Sequence, residues 1–217
     1  GAGRWQVQGM IASTKTVPVL KANEHGRNET EAAVVREFPL TIVFDGNELI
    51  TLLCSPSNLD YLAVGFLFAE GFVSGKDGIK KITVDEQRGI VHVWRAEDAP
   101  LPREALFKGL ITSACGRGAA FYSTADAHNL TRVESQMAIS TDQVFALVEE
   151  FNQRSSLYRA TGGVHSAALA DAERILVCND ALGRHNAIDK VFGECILRGI
   201  PTEDRIVITS GRTPSEM

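Results

Sequence analysis

Long apolar runs are missing from this 217-residue chain: its longest, such as Leu62–Ala69, fall far short of the roughly 20 residues a membrane-spanning helix needs. Also missing is any block of five or more like charges, and a formal net charge of −5 gives no bulk field for nucleic acid or anionic lipid. Any anion site must therefore be local. The four cysteines, Cys54, Cys115, Cys178 and Cys195, form no Cys-x-x-Cys pair, and no secretory apolar region opens the chain, which favours a reducing, cytoplasmic setting. There is no Gly-x-x-x-x-Gly-Lys-Ser/Thr loop, no Gly-x-Gly-x-x-Gly after a strand and no His-Glu-x-x-His. Nor is there the His-x-Glu with Pro-Cys-x-x-Cys that holds zinc in nucleobase deaminases, so no structural or catalytic metal is expected.

What is present is enough apolar content, 44%, for one large or two smaller self-sufficient domains. Residues 1 to about 33 are polar and aperiodic and predict a flexible leader. Strands 38–44 and 48–54 flank Asp45-Gly46-Asn47, a hairpin signal that leaves Cys54 packed at a strand end. Leu59, Leu62, Ala63, Phe66 and Leu67 recur at helical spacing and predict an amphipathic helix covering that hairpin, and 79–86 with 90–94 predict a second one. Ala99-Pro-Leu-Pro-Arg103 reads as a linker, because two prolines in four residues resist helix and central strand alike. Beyond it, Ser140-Thr-Asp-Gln143 is a capping box opening a helix with Val144, Leu147, Val148 and Phe151 on one stripe. Strands at 165–170 and 174–178, a helix over 189–197 and a strand at 205–209 complete an α/β part, whose last strand is expected to return parallel and make the sheet mixed.

Four clusters carry candidate chemistry. In Ile111-Thr-Ser-Ala-Cys-Gly-Arg-Gly118 a single thiol, Cys115, sits among the smallest side chains, with Arg117 and free amides to favour the thiolate; a turn that merely contains cysteine reads the same way. Ala160-Thr-Gly-Gly-Val-His165 places a Gly-Gly step, able to offer amides to an anion, before a histidine that can move a proton near neutral pH. Ordinary strand-entry turns use Gly-Gly as well. Between Asn179 and Lys190, Asp180, Arg184, His185, Asn186, Asp189 and Lys190 crowd a helix start, where free amides beside cations suit an anion; a well-capped, solvated helix start is the alternative. Thr209-Ser-Gly-Arg-Thr-Pro-Ser215 follows a strand, where ligands gather in open α/β sheets, or is a plain loop leading to a helix that Pro214 begins.

In order and wording, these clusters resemble the formate dehydrogenase accessory sulfurtransferase family, FdhD or NarQ. The matching stretches are Pro39-Leu-Thr-Ile42, Leu62–Gly71, Thr112-Ser-Ala-Cys-Gly116, Thr161-Gly-Gly-Val-His165, Gly183-Arg-His-Asn-Ala-Ile-Asp-Lys190 and Ser210–Met217, in register from residue 38 to 217. The resemblance implies a cytidine-deaminase-like three-layer α/β domain with a mixed sheet over 104–217, without the zinc site, joined to a smaller N-terminal α+β domain over 34–103. It implies a sulfur carrier that accepts persulfide sulfur from a cysteine desulfurase on Cys115. That sulfur would pass to the molybdenum cofactor, in its bis(guanine dinucleotide) form, for apo formate dehydrogenase. Gly162, His165, Arg184, His185, Asn186, Asp189, Lys190 and Arg212 are then the candidates for the cofactor's phosphates and guanine, and a free guanine nucleotide is a candidate ligand.

Two departures accompany the resemblance. Many members carry Cys-x-x-Cys where this chain has Cys115-Gly-Arg-Gly118, which argues against release through a loop disulfide. The family also continues beyond Met217 through sheet and helix that contribute to the pocket, so a C-terminal part is expected to be missing. A second copy of the chain is a candidate partner, since Phe121 and Tyr122 follow the loop. Two rival readings stay open here. One is a cysteine hydrolase using Cys115 with His165 or His185 as base, and the other is a non-catalytic chaperone for the cofactor and apo-enzyme.

Overall fold

The computed structural model describes residues 11–96, the backbone of 109–110, and 134–213. Asp45 and Gly46 both take positive φ, 47° and 80°, which a two-residue reversal between strands requires, and they join β3 (Phe38–Phe44) to β4 (Asn47–Cys54) as the sequence predicts. A 3-10 turn at Lys76–Gly78 leads into β5 (Ile79–Asp85), which pairs antiparallel with β6 (Ile90–Arg95). Because β6 also lies parallel to β3, and the two-residue β7 (Gly109–Leu110) lies parallel to β4, the sheet β5-β6-β3-β4-β7 is mixed.

Between β4 and β5 runs α1 (Leu59–Ala69). It is not the one-sided helix its spacing suggests: Val64 and Gly65 are buried along with Leu59, Leu62, Ala63, Phe66 and Leu67. One side packs on the mixed sheet with Leu40, Ile42, Phe44, Leu52 and Val93, and another packs on α4 (Arg184–Arg198). The two helices meet backbone to backbone. A Cβ on Gly65 would lie 1.8 Å from the Asp189 carbonyl oxygen, and one on Gly193 would lie 1.9 Å from that of Tyr61, so only glycine admits the crossing.

The second sheet, β10-β8-β9, is built from β8 (His165–Ala170), β9 (Ile175–Ala181) and β10 (Ile206–Thr209). Its two faces meet different helices, and a register shift at Leu169/Ala170 breaks the period-2 alternation so that Ile175 and Val177 face opposite sides. Ala167, Leu169 and Val177 pack on Ala187, Val191 and Cys195 of α4, while Ala168, Ala170 and Ile175 pack on Leu147 and Phe151 of α2 (Thr141–Arg154). The chain thus stacks sheet, α1, α4, sheet and α2. The capping box at Ser140 forms in full, with Gln143 N donating to Ser140 Oγ at 3.2 Å and Ser140 N donating to Gln143 Oε1 at 2.8 Å.

Several expectations change. Residues 14–33, read as part of a leader, form with Val34 and Val35 an antiparallel ribbon of β1 (Thr14–Asn23) and β2 (Gly26–Val35). Charged residues punctuate its apolar ones because both faces are largely wet, and this hides the strand period. The parallel pairs lie in the first sheet, not the second: β10 follows a crossover but lands beside β8, antiparallel to it. Helix α4 starts at Arg184 rather than Asp189, and Asn179 and Asp180 extend β9. The α2 stripe is only half covered, with Leu147 and Phe151 buried and Val144 and Val148 exposed. The short α3 (Ser156–Thr161) had no sequence signal. The linker 99–103 and the Cys115 loop lie outside the described residues.

Candidate functional site

One end of the second sheet gathers three of the four clusters. His165 opens β8, Gly183 caps α4 directly after β9, and Gly211 follows β10. The approach is close: a Cβ on Gly211 would lie 2.9 Å from Arg184 Cβ and 3.3 Å from His165 Nδ1. Arg212 stands exposed next to it, and Gly162, in the left-handed region at φ 63°, ends α3 on the way to β8. The geometry makes a rim of His165, Arg184, Gly211 and Arg212 around the first turn of α4. Gly183 supplies no side chain to that turn's amides, and the positive end of the helix macrodipole points there. Among the described residues Arg184 Nε is buried without a hydrogen-bond partner. Such an edge can take a phosphate-like anion.

Three strands are pinned together behind the rim. Ser166 Oγ donates to Asp180 Oδ1 at 2.6 Å, and Leu157 N donates to Asp180 Oδ2 at 3.0 Å. Ser210 N donates to Ser166 O at 3.0 Å, and Ser166 N donates to Ser210 Oγ at 3.0 Å. Sequence reasoning placed Asp180 and Ser210 in polar clusters and passed over Ser166, whose neighbour His165 was the only local hint.

The remaining candidates from Gly183–Lys190 turn the other way. His185, Asn186 and Asp189 are buried, and Lys190 is 0% exposed; Asn186 and Lys190 lie in the seam between α4 and the β4–α1 turn, and the Asp189 backbone meets α1 at Gly65. Asn186 Nδ2 donates to Leu53 O at 2.9 Å, and Lys190 Nζ donates to Ser55 Oγ at 2.9 Å, Ser57 Oγ at 3.2 Å and Asp180 O at 3.2 Å. Burial pushes the Lys190 amine down to about 8, more than nearby Cys54 and Asp180 raise it. In this geometry Asn186 and Lys190, expected at the cofactor's phosphates, have their donors spent on protein oxygens inside the seam. Asn58, at φ 51°, joins the same seam: its Nδ2 donates to Asn179 Oδ1 at 2.7 Å, and Asn179 Nδ2 donates to Glu194 Oε2 at 2.7 Å.

The described cysteines are poor thiolates. Burial is the leading cause in each, pushing Cys54 up to about 12 and both Cys178 and Cys195 up to about 11, with Asp180 adding to the rise at Cys178 and Glu194 at Cys195. Among the described residues no group of three or more His, Cys, Asp or Glu side chains could hold a metal ion, and no helix is long and apolar enough to cross a membrane. Strand β7, which precedes the Cys115 segment in sequence, runs in the direction of β4, the strand that ends at Cys54.

Comparison with known proteins bears on the whole chain. It is 38% identical over 190 residues to the sulfur carrier protein FdhD of Bacillus subtilis, covering 88% of this chain and 72% of that protein. The Staphylococcus aureus protein of the same name is 36% identical over 200 residues, covering 92% and 76%. The fold resembles a crystal structure from Desulfotalea psychrophila, provisionally described as a formate dehydrogenase accessory protein, with a TM-score of 0.76 at 22% identity over 94% of this chain and 78% of that one. Residues 35–217 match the FdhD/NarQ family, and the chain belongs to it.

Proposed function

We propose that this protein is a sulfur carrier for formate dehydrogenase, a sulfurtransferase that holds sulfur as a persulfide on Cys115. One observation carries the assignment of the residue: of the chain's four cysteines, the three described have thiols raised to about 11 or 12, which leaves Cys115 for the chemistry. The relatives' name, sulfur carrier protein, supports the activity itself. A Cys115 thiolate attacks the outer sulfur of a persulfide on a cysteine desulfurase; a new S–S bond forms, the old one breaks and the donor's cysteine leaves as thiolate. Loading needs no external oxidant or reductant. Onward transfer breaks the S–S bond at Cys115, which leaves as thiolate, and the two electrons that turn the carried sulfur into sulfide come from a separate thiol reductant, since Gly118 supplies no second thiol in the loop.

The acceptor in this reading is the molybdenum bis(guanine dinucleotide) cofactor, met as a substrate, before its insertion into apo formate dehydrogenase. Gly162, His165, Arg184 and Arg212 hold its phosphates at the rim, since Arg184 brings a forked cation to the uncapped first turn of α4. A deaminase-like three-layer organisation fits the α2, sheet, α4 stack, and the N-terminal α+β part is the mixed sheet with α1. A cytoplasmic setting suits this reading, because reducing surroundings keep Cys115 a free thiol ready to accept sulfur.

Incubation with a cysteine desulfurase and cysteine, followed by intact-mass and peptide analysis, tests this. The wild-type chain and the Cys54→Ala/Cys178→Ala/Cys195→Ala variant should each gain one sulfur, mapped to Cys115, and Cys115→Ala should gain none. Equal loading of Cys115→Ala would sink the proposal.

A further inference from the structure

Lys190 is a cation buried among neutral partners. Among the described residues no carboxylate forms an ion pair with it, and its donors are spent on two hydroxyls and a carbonyl. The titratable groups that face it are the Cys54 thiol from β4 and Asp180 from β9. An uncompensated buried ammonium is costly, and a hydrocarbon of similar volume would fill the seam without that cost. The three acceptors show what the charge accomplishes. Ser55 and Ser57 belong to the turn between β4 and α1, whereas the Asp180 carbonyl belongs to the end of β9, whose carboxylate holds Ser166 and the start of α3. Ser166 in turn exchanges two hydrogen bonds with Ser210, directly before Gly211 and Arg212.

We propose that Lys190 is a positioning residue at the centre of a polar relay, Ser55/Ser57, Lys190, Asp180, Ser166, Ser210, which ties the geometry of the rim to the β4–α1 turn. The rim's role in holding substrate phosphate rests on the function proposed above; the relay itself is a property of the fold. Its consequence is that the rim opens only together with the Lys190 seam. Opening then wets the amine and restores its ordinary affinity for a proton, so the opened state binds more protons than the closed one between pH 8 and 10.5. Protection of the rim must therefore rise with pH across that window.

Amide hydrogen exchange on the full chain, corrected for intrinsic rates, reads this without any ligand. In the wild type, amides of 165–168 and 179–181 should become about thirtyfold better protected between pH 7 and 9.5, and Lys190→Met should lack that step. Ser57→Ala should lower rim protection about tenfold at pH 7, the scale of one hydrogen bond to a charged group, and Ser57→Thr should restore it. If Lys190→Met does not fold, the Ser57 pair decides. Changes confined to 53–58, or a rim indifferent to pH in the wild type, would overturn the relay. Guanosine diphosphate titration of the same proteins separates the two ideas: coupled exchange without nucleotide binding would strike the rim's substrate role and leave the relay standing.

Discussion

The rim and the seam are drawn from the same stretch, Gly183–Lys190, and they use polar residues in opposite ways. In the seam, Asn186 and Lys190 direct their donors at fixed protein oxygens, and the helices approach through Gly65 and Gly193 with no space for a Cβ. At the rim one turn away, Arg184 carries a buried Nε without a partner among the described residues, and the first-turn amides have no side-chain cap from Gly183. Polar groups that meet protein partners serve stability, whereas in the function proposed above the unpartnered Arg184 Nε serves a ligand. On the folded helix, residues 186, 189, 190 and 193 turn to α1 and its preceding turn while 184 stays at the sheet's end.

The largest effect should come from closing the seam's gap. Gly193→Val puts two methyl groups against the Tyr61 carbonyl and should cost about 3 kcal/mol or more, seen as a lower denaturation midpoint and loss of every activity together. Arg184→Gln should separate the two regions. It should leave stability within about 0.5 kcal/mol while weakening guanosine diphosphate binding about tenfold in calorimetry, because only a ligand uses its guanidinium. An equal loss of stability would show that the rim is another structural joint. The smallest effect belongs to Cys178→Ala, a half-buried thiol at the margin of the core under α2, which should leave sulfur loading by mass spectrometry unchanged and stability within about 1 kcal/mol.

Much of this was legible beforehand, for physical reasons specific to each element. Asp45-Gly46 and the Ser140 capping box are local chemistry, complete within four residues, and both formed as read. The α1 spacing identified a helix but not its burial on a second side, since the partner α4 lies more than a hundred residues away in sequence. The same distance hid the pegs: nothing near Ser55 or Ser57 announces Lys190, 135 and 133 residues on. Asn179 and Asp180 looked like turn residues because their composition is polar, yet pairing with Ala167 and Ser166 makes them strand. The clusters at 165, 183–184 and 211–212 were each marked in the sequence by glycine beside a cation or histidine, and the structure brings them to one end of the second sheet. The division of labour inside Gly183–Lys190 was not legible.

A sulfur carrier must deliver sulfur from Cys115 and not merely accept it there. The direct measurement is a single turnover: the chain is loaded with labelled sulfur, freed of desulfurase and cysteine, and mixed with apo formate dehydrogenase, its molybdenum cofactor and a thiol reductant. Label should leave Cys115 as formate oxidation appears, with a matching stoichiometry and none of it for Cys115→Ala. Activation at the same rate by unloaded protein or by Cys115→Ala, with the label still on the wild-type chain, would contradict it.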